Sequence, residues 1–268
     1  LHLLFRALKT ANAAVFARRN KMAEFLVREF NGIWYGFFSE LEKLGFKHAF
    51  TCRFRGSSDL SAGGLNMALH VGDEPQKVLQ NRKAVAEALA VDERRITTCE
   101  QVHGSNIVVV TPEKIGSGAF NFSDTIAGTD ALITREKAVP LMLFFADCVP
   151  VVFADPVTGA VGAAHAGWRG SVAGIAAKTV RKMVEEFGVV PENLFAAIGP
   201  SIGPCCYEVD GTVYEQAREF NACFTPASPG HWQLDLWEMN RLQLLQEGLK
   251  PENIMCAGIC TADNGELF

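Results

Sequence analysis

The chain has 268 residues, 49% of them hydrophobic, and a formal net charge of −5. That length buries a substantial core in one large domain or two small ones. The acidic balance excludes nucleic acid as the main partner, which would call for a basic stripe, and no apolar run approaches the ~20 residues that span a bilayer. Eight cysteines stand in a chain that is neither short nor loop-dominated, with no CxxC pair. Neither a disulfide scaffold nor a zinc ribbon is expected, and reduced thiols in a cytoplasmic protein fit best.

Residues 1–21 are basic with no acidic residue, and Arg6 and Lys9 interrupt the apolar core that a signal peptide needs. They read as an N-terminal extension, not native, with Met22 the natural start. No internal repeat, low-complexity tract or linker follows, so 22–268 reads as a single domain. Trp34–Phe38 and Lys47–Arg53 read as strands around a short helix, Ser39–Lys43. A loop of small residues, Arg55 to Gly64, leads to Leu65-Asn66-Met67-Ala68-Leu69-His70-Val71-Gly72-Asp73, where polar neighbours set His70 in a pocket rather than a core. Lys77–Ala90 is a helix. Ile96–Cys99, Asn106–Thr111 and Asp130–Thr134 are strands, with Gln101-Val102-His103-Gly104 between the first two and a loop over 116–128.

Three short apolar runs then follow: Pro140–Ala146, Val149–Ala154 and Ala160–His165. Asp155-Pro156 and Thr158-Gly159 supply turn chemistry between the last two. Ser171–Gly188 carries the helical period, with Ser171 as its N-cap. Beyond it come a strand (Leu194–Ile198), a rigid Gly-Pro loop to Glu208, a helix (Asp210–Phe220), a strand (His231–Asp235), a helix (Leu236–Gly248) and a late strand (Asn253–Ala257). Cys205 and Cys206 read as small apolar packing groups in a loop that closes a pocket.

Cys148 ends one apolar run and His165 another, which then enters the glycine turn Ala166-Gly167-Trp168-Arg169-Gly170. His70, Cys148 and His165 are a candidate three-ligand set, and zinc held by three protein ligands keeps a fourth position open for water or substrate. The same residues fit a metal-free reading, with Cys148 a nucleophile activated by His165. They also fit a buried thiol beside an unrelated histidine. Spacing alone leaves all three open. Asp147 should point away from Cys148 across a strand, as a structural group.

NMALHVGDEP, QVHG, FADCVPVVFADP, GAAHAGWRG, IGPSIGPCCYEV and LDLWEMNRLQLLQEG, in this order, resemble the YfiH/laccase-domain family over roughly Phe50 to Thr261. The resemblance implies an α+β fold of mixed β-sheets packed with peripheral helices, a three-layer α/β arrangement being the alternative. It implies zinc on the histidine of HVGD, the cysteine of ADC and the histidine of HAGW, here His70, Cys148 and His165, with copper able to bind in vitro. The implied activity is phosphorolysis of adenosine, inosine, guanosine and methylthioadenosine, with adenosine deamination. Purine nucleosides and phosphate are then the partners, and the chain a monomer. Cys148, His165, His70 and His103 are the catalytic candidates, His103 for proton transfer or substrate contact. Arg53 and Arg169 are candidates for phosphate, which suits the planar guanidinium fork, and Asn66 and Gln101 for polar substrate contacts. The same resemblance carries a rival, a Cys148–His165 amide hydrolase editing peptidoglycan precursors, and a non-enzyme alternative, a zinc-stabilised binding protein. Laccase chemistry is rejected: six histidines with no His-x-His pair do not build a four-copper centre. Relatives have Arg-x-Gly-Gly-Val-Ser where this chain has Arg53-Phe54-Arg55-Gly56-Ser57-Ser58, and they continue into a Ser-x-Arg-Arg-like tail beyond the point where this sequence stops.

Overall fold

The computed structural model describes residues 24–60 and 64–268; the expected extension over 1–21 lies outside them. The described chain opens with a hairpin of β1 (Phe25–Phe30) and β2 (Ile33–Phe38). Asn31 and Gly32 turn it, both at positive φ (51° and 83°), the backbone that a two-residue turn with the twist of a hairpin requires. A short helix α1 (Ser39–Lys43) follows, and β3 (Phe50–Thr51) completes a three-stranded sheet beside β2. Helix α2 (Pro75–Ala88) starts on a proline, whose missing N–H is no loss in a first turn.

The main sheet uses β4 (Ile107–Val109), β5 (Ala131–Thr134), β6 (Val149–Ala154), β7 (Val161–Ala166) and β8 (Phe195–Ile198). Between β7 and β8 run α3 (Trp168–Val172) and α4 (Ile175–Phe187). After β8 come β9 (Glu208–Asp210), α5 (Gly211–Gln216), β10 (Phe224–Pro226), β11 (His231–Leu234), α6 (Leu236–Gln246) and β12 (Ile254–Cys256). The six strands lie in the order β12-β8-β6-β7-β5-β4, parallel at both edges and antiparallel in the middle, and β10-β11-β9 form a third small sheet.

Alternation along β6 sorts its side chains to two faces. Val149, Val151 and Phe153 pack with Ile175, Val180 and Met183 of α4 and Met239 and Leu244 of α6. Val152 and Ala154 pack on the other side with Phe25, Phe38 and Leu41. The sheet is thus covered by helices on one face and by the first hairpin on the other, an α+β fold of mixed sheets. Gly36 is where the hairpin closes tightly, because a Cβ there would lie 2.1 Å from the Phe25 ring. Gly36→Ala should therefore cost about 1–3 kcal/mol by overpacking, read as a lower denaturation midpoint at unchanged slope.

Several expected elements are redrawn. The helix read from Ser171 begins earlier, at Trp168, and breaks at Gly174, whose φ of 77° separates α3 from α4. Ser171 is no N-cap. It is buried, donates to the Ala166 carbonyl and accepts from Asn240 Nδ2. Lys47–Arg53 contracts to β3, and Ile96–Cys99 makes only isolated bridges. Pro140–Ala146 is not a ladder strand either. Leu141 bridges Thr97, and thereafter the Gln101 side chain stands in for a strand neighbour, donating to Phe144 O at 2.7 Å and accepting from Phe144 N at 2.8 Å. Asp210–Phe220 splits into the end of β9, where Asp210 caps α5, and a separate 3-10 turn. Among the described residues no helix is long and apolar enough to cross a membrane.

Candidate metal centre

The pairing of β6 with β7 sets Pro150 opposite His165 and Val149 opposite Ala166. Cys148, just before β6, therefore meets Gly167, just after β7. A third segment, the turn at Val102–Gly104, comes in beside them. Ligand atoms of His103, Cys148 and His165 lie within 4.8 Å of one another, and the two imidazoles meet edge to face at 4.7 Å between centroids.

Asp130, fully buried at the head of β5, organises this convergence. Its carboxylate accepts from the backbone N–H of His103 at 2.9 Å and of Gly104 at 2.7 Å, with Val102 at 3.3 Å. It also faces His165 Nδ1 at 2.9 Å. A carboxylate only accepts at neutral pH, so the proton sits on Nδ1 and Nε2 is left to act as a ligand. His165 is only 3% exposed. Burial disfavours its cation, yet the hydrogen bond to Asp130 and the Cys148 sulfur outweigh it and raise the imidazole to about 9. In the metal-free protein this group contributes stability that is fully present below its ordinary value near 6.5 and lost as pH rises through about 9. Metal entry requires that proton to leave, so loading should strengthen over the same rise. Unfolding of chelator-treated and metal-loaded protein across that window checks the opposed trends.

Two glycines make room. A Cβ on Gly167 would stand 3.0 Å from Cys148 Sγ and 3.3 Å from His103 Cδ2, and one on Gly170 would meet the Gly104 carbonyl at 2.8 Å. The Gly-Trp-Arg-Gly spacing thus lets α3 begin against the cluster. Gly167→Ala should lower metal affinity roughly tenfold, in the range of changes that disturb a ligand's support, measured by competition with a chromogenic chelator. His103 and Asp147 both hold left-handed backbone, φ 59° and 70°, strain that clusters at functional sites. Asp147 is not a strand residue. It precedes β6, and its carboxylate accepts from the Thr261 hydroxyl.

The donor set fits a borderline divalent ion: one thiolate and two imidazoles, with one imidazole oriented by a buried carboxylate. It differs from the expected set at one position. His70 is exposed and belongs to no such group among the described residues; its ring packs at 5.0 Å on Phe122 and 5.7 Å on Phe144. His103 stands where His70 was expected, because the Asp130 carboxylate draws the 102–104 turn onto β7. His70 remains close to the same loop, since Phe145, next to Phe144, packs on His165 at 5.6 Å. Burial and the nearby Arg82 charge lower its pKa.

Of the other candidates, Asn66 donates to Asp73 and to the Ala68 carbonyl and accepts from Ala68 N, and Gln101 holds Phe144. Both amides brace the loops that carry His70 and Phe145. Arg53 donates to the Gly265 carbonyl. Arg169 is exposed over the Trp168 ring, and its charge reaches both His103 and Tyr207. Tyr207 is an unforeseen neighbour, its phenol pushed up to about 12 by burial and the Cys148 charge against the opposing Arg169. Asp130 was equally unforeseen, although a lone carboxylate opening an apolar run was its signal.

Comparison with known proteins agrees with this architecture. The model of the family described as multi-copper polyphenol oxidoreductase laccase matches residues 47–268. A protein described as purine nucleoside phosphorylase YlmD from Geobacillus stearothermophilus is 44% identical over 223 residues, covering 81% of each chain. One so described from Bacillus subtilis is 38% identical, covering 82% of this chain and 80% of its own. The crystal structure of a Bacillus licheniformis hypothetical protein, YfiH, superposes with a TM-score of 0.81 at 36% identity, over 93% of this chain and 91% of that one. The chain is a member of the YfiH/laccase-domain family.

Proposed function

We propose that the chain is a zinc-dependent purine nucleoside phosphorylase whose metal is held by His103, Cys148 and His165. The observation that carries this reading is the convergence of those three ligand atoms over a buried Asp130, in a chain whose relatives are described as purine nucleoside phosphorylases. A three-ligand set leaves a coordination position open, and zinc bound there supplies a Lewis acid. In the reaction a phosphate oxygen forms a bond to C1′ as the C1′–N9 bond breaks, and the purine leaves with the bonding pair and takes up a proton. Arg169, exposed with its charge acting on His103, is the group proposed to receive phosphate. Val102 and Phe145, 52% and 38% exposed beside the ligands, offer apolar surface to the base. Proton transfer, expected of His103, falls in this reading to His70 in its aromatic setting, because His103 is taken by the metal. Adenosine, inosine, guanosine and methylthioadenosine are the assigned substrates, with deamination of adenosine as a second reaction.

The family's copper name fits the donors less well. Only two histidines gather here among the described residues. His48 is bonded to the backbone of the first hairpin, and His231 lies exposed on β11. A multicopper centre needs more imidazoles than that.

One observation favours a second reading. Cys148 Sγ lies within 4.8 Å of a His165 ring nitrogen, and Asp130 faces His165 Nδ1 at 2.9 Å, the order of a nucleophile, a base and its orienting carboxylate. That arrangement would serve amide hydrolysis of peptidoglycan precursors without metal. Inosine with phosphate and, in parallel, an amide-linked peptidoglycan precursor, each assayed by product analysis before chelation, after it, and after zinc is restored, separate the two. Hypoxanthine and ribose-1-phosphate that vanish and return with zinc support phosphorolysis. Amide hydrolysis that persists in chelator, with no purine released, would sink it.

A further inference from the structure

A second group of ligating side chains lies outside that centre. The turn at Gly203–Tyr207, closed by Cys206 N and Tyr207 N donating to the Gly203 carbonyl at 3.0 Å each, points two adjacent cysteines the same way. Cys205 Sγ donates to one oxygen of Asp263 at 3.1 Å and Cys206 Sγ to the other at 3.3 Å. Cys260, buried, lies behind them and accepts from Gly203 N at 3.3 Å. Three sulfurs and a carboxylate oxygen thus fall within 4.8 Å of one another. The expectation that Cys205 and Cys206 pack as apolar groups is corrected here: both are exposed, with their sulfurs spent on a carboxylate.

We propose that Cys205, Cys206, Cys260 and Asp263 form a second metal site, thiolate-rich and closed, taking a thiophilic divalent ion such as zinc. Three sulfurs and one oxygen complete a tetrahedron and leave no position for substrate, the mark of a structural rather than a catalytic site. Binding displaces the thiol protons, including the two now shared with Asp263. The ligands come from two segments far apart in sequence, and the ion would fasten one to the other. Ser201 already bridges Cys260, with Thr261 N donating to Ser201 O at 3.0 Å. Both segments hold Asp147, through Ile202 N on its carbonyl at 2.9 Å and the Thr261 hydroxyl on its carboxylate. Asp147 precedes Cys148, so the second ion steadies the strained residue beside the first ion's thiolate.

The test loads the chelator-stripped, reduced 268-residue chain with Co2+, whose thiolate charge-transfer absorption reports sulfur ligands. Wild-type chain should take up two equivalents, and the Cys205→Ser, Cys206→Ser double variant one. Those two side chains are exposed, so the core is undisturbed. His103→Ala combined with Cys148→Ala should retain one equivalent, with the stronger, multi-thiolate absorption. Uptake unchanged in the Cys205/Cys206 variant, or no uptake in the His103→Ala, Cys148→Ala variant, would overturn the site. So would Cys260 recovered in a disulfide with Cys205 or Cys206 from protein purified without reductant or chelator.

Discussion

Cys148→Ala is expected to lose the metal of the His103–Cys148–His165 centre and to lower phosphorolysis by at least about 1,000-fold, some 4 kcal/mol, the scale at which a Lewis acid acts on a reacting centre. Cys148 offers the only thiolate of its group and sits where β6 and β7 bring three segments together. Its loss leaves two imidazoles, one of them half-turned to solvent on a left-handed turn residue. Alanine there opens space and adds no clash, because Gly167 faces the sulfur with no side chain of its own. The fold should therefore survive, and circular dichroism with elemental analysis of the purified variant separates a vacant site from an unfolded chain. Full turnover in a Cys148→Ala protein that holds one equivalent of metal fewer than wild type would remove this centre's metal from the reaction.

Asp130→Asn should act through stability as well as metal. The carboxylate is fully buried and satisfies three backbone N–H groups and His165 Nδ1. An amide presents one acceptor oxygen and turns two N–H donors on a set of donors, so at least one buried donor goes unmet. Removing one partner of such a buried pair costs about 3–5 kcal/mol, and losing the carboxylate that orients the His165 ring weakens metal binding roughly 10–100-fold. Denaturant midpoints and chelator competition measure the two effects. A variant as stable as wild type, with unchanged zinc affinity, would show that the 102–104 turn holds itself.

Much of the fold can be read from local signals, because the strands of the main sheet are buried and apolar and α6 opens on an Asp cap. The first hairpin shows what is overlooked: Phe-Leu-Val-Arg-Glu-Phe and Ile-Trp-Tyr-Gly-Phe-Phe flank Asn31-Gly32, the strongest short hairpin signal, yet only the second strand stands out by apolar pattern. The helix break at Gly174 and the amide of Gln101 serving as a strand neighbour are tertiary choices that no period reveals. At the site, Cys148 and His165 are legible because they end adjacent apolar runs. The third donor is not, since His70 and His103 sit in equally polar, glycine-bearing loops. What separates them is Asp130, whose carboxylate binds the 102–104 turn from a strand far along the chain.

That choice of donor is the most direct point of attack. Zinc content and inosine phosphorolysis should be measured in His103→Ala beside His70→Ala, each loaded under identical conditions. The Cys205–Cys206–Cys260–Asp263 group is first removed by the Cys205→Ser, Cys206→Ser background, so that one site is counted. His103→Ala should hold no zinc and release no hypoxanthine, while His70→Ala keeps a full equivalent of zinc. Stoichiometric zinc in His103→Ala, with zinc lost from His70→Ala, would contradict the assignment and return the third ligand to the HVGD segment.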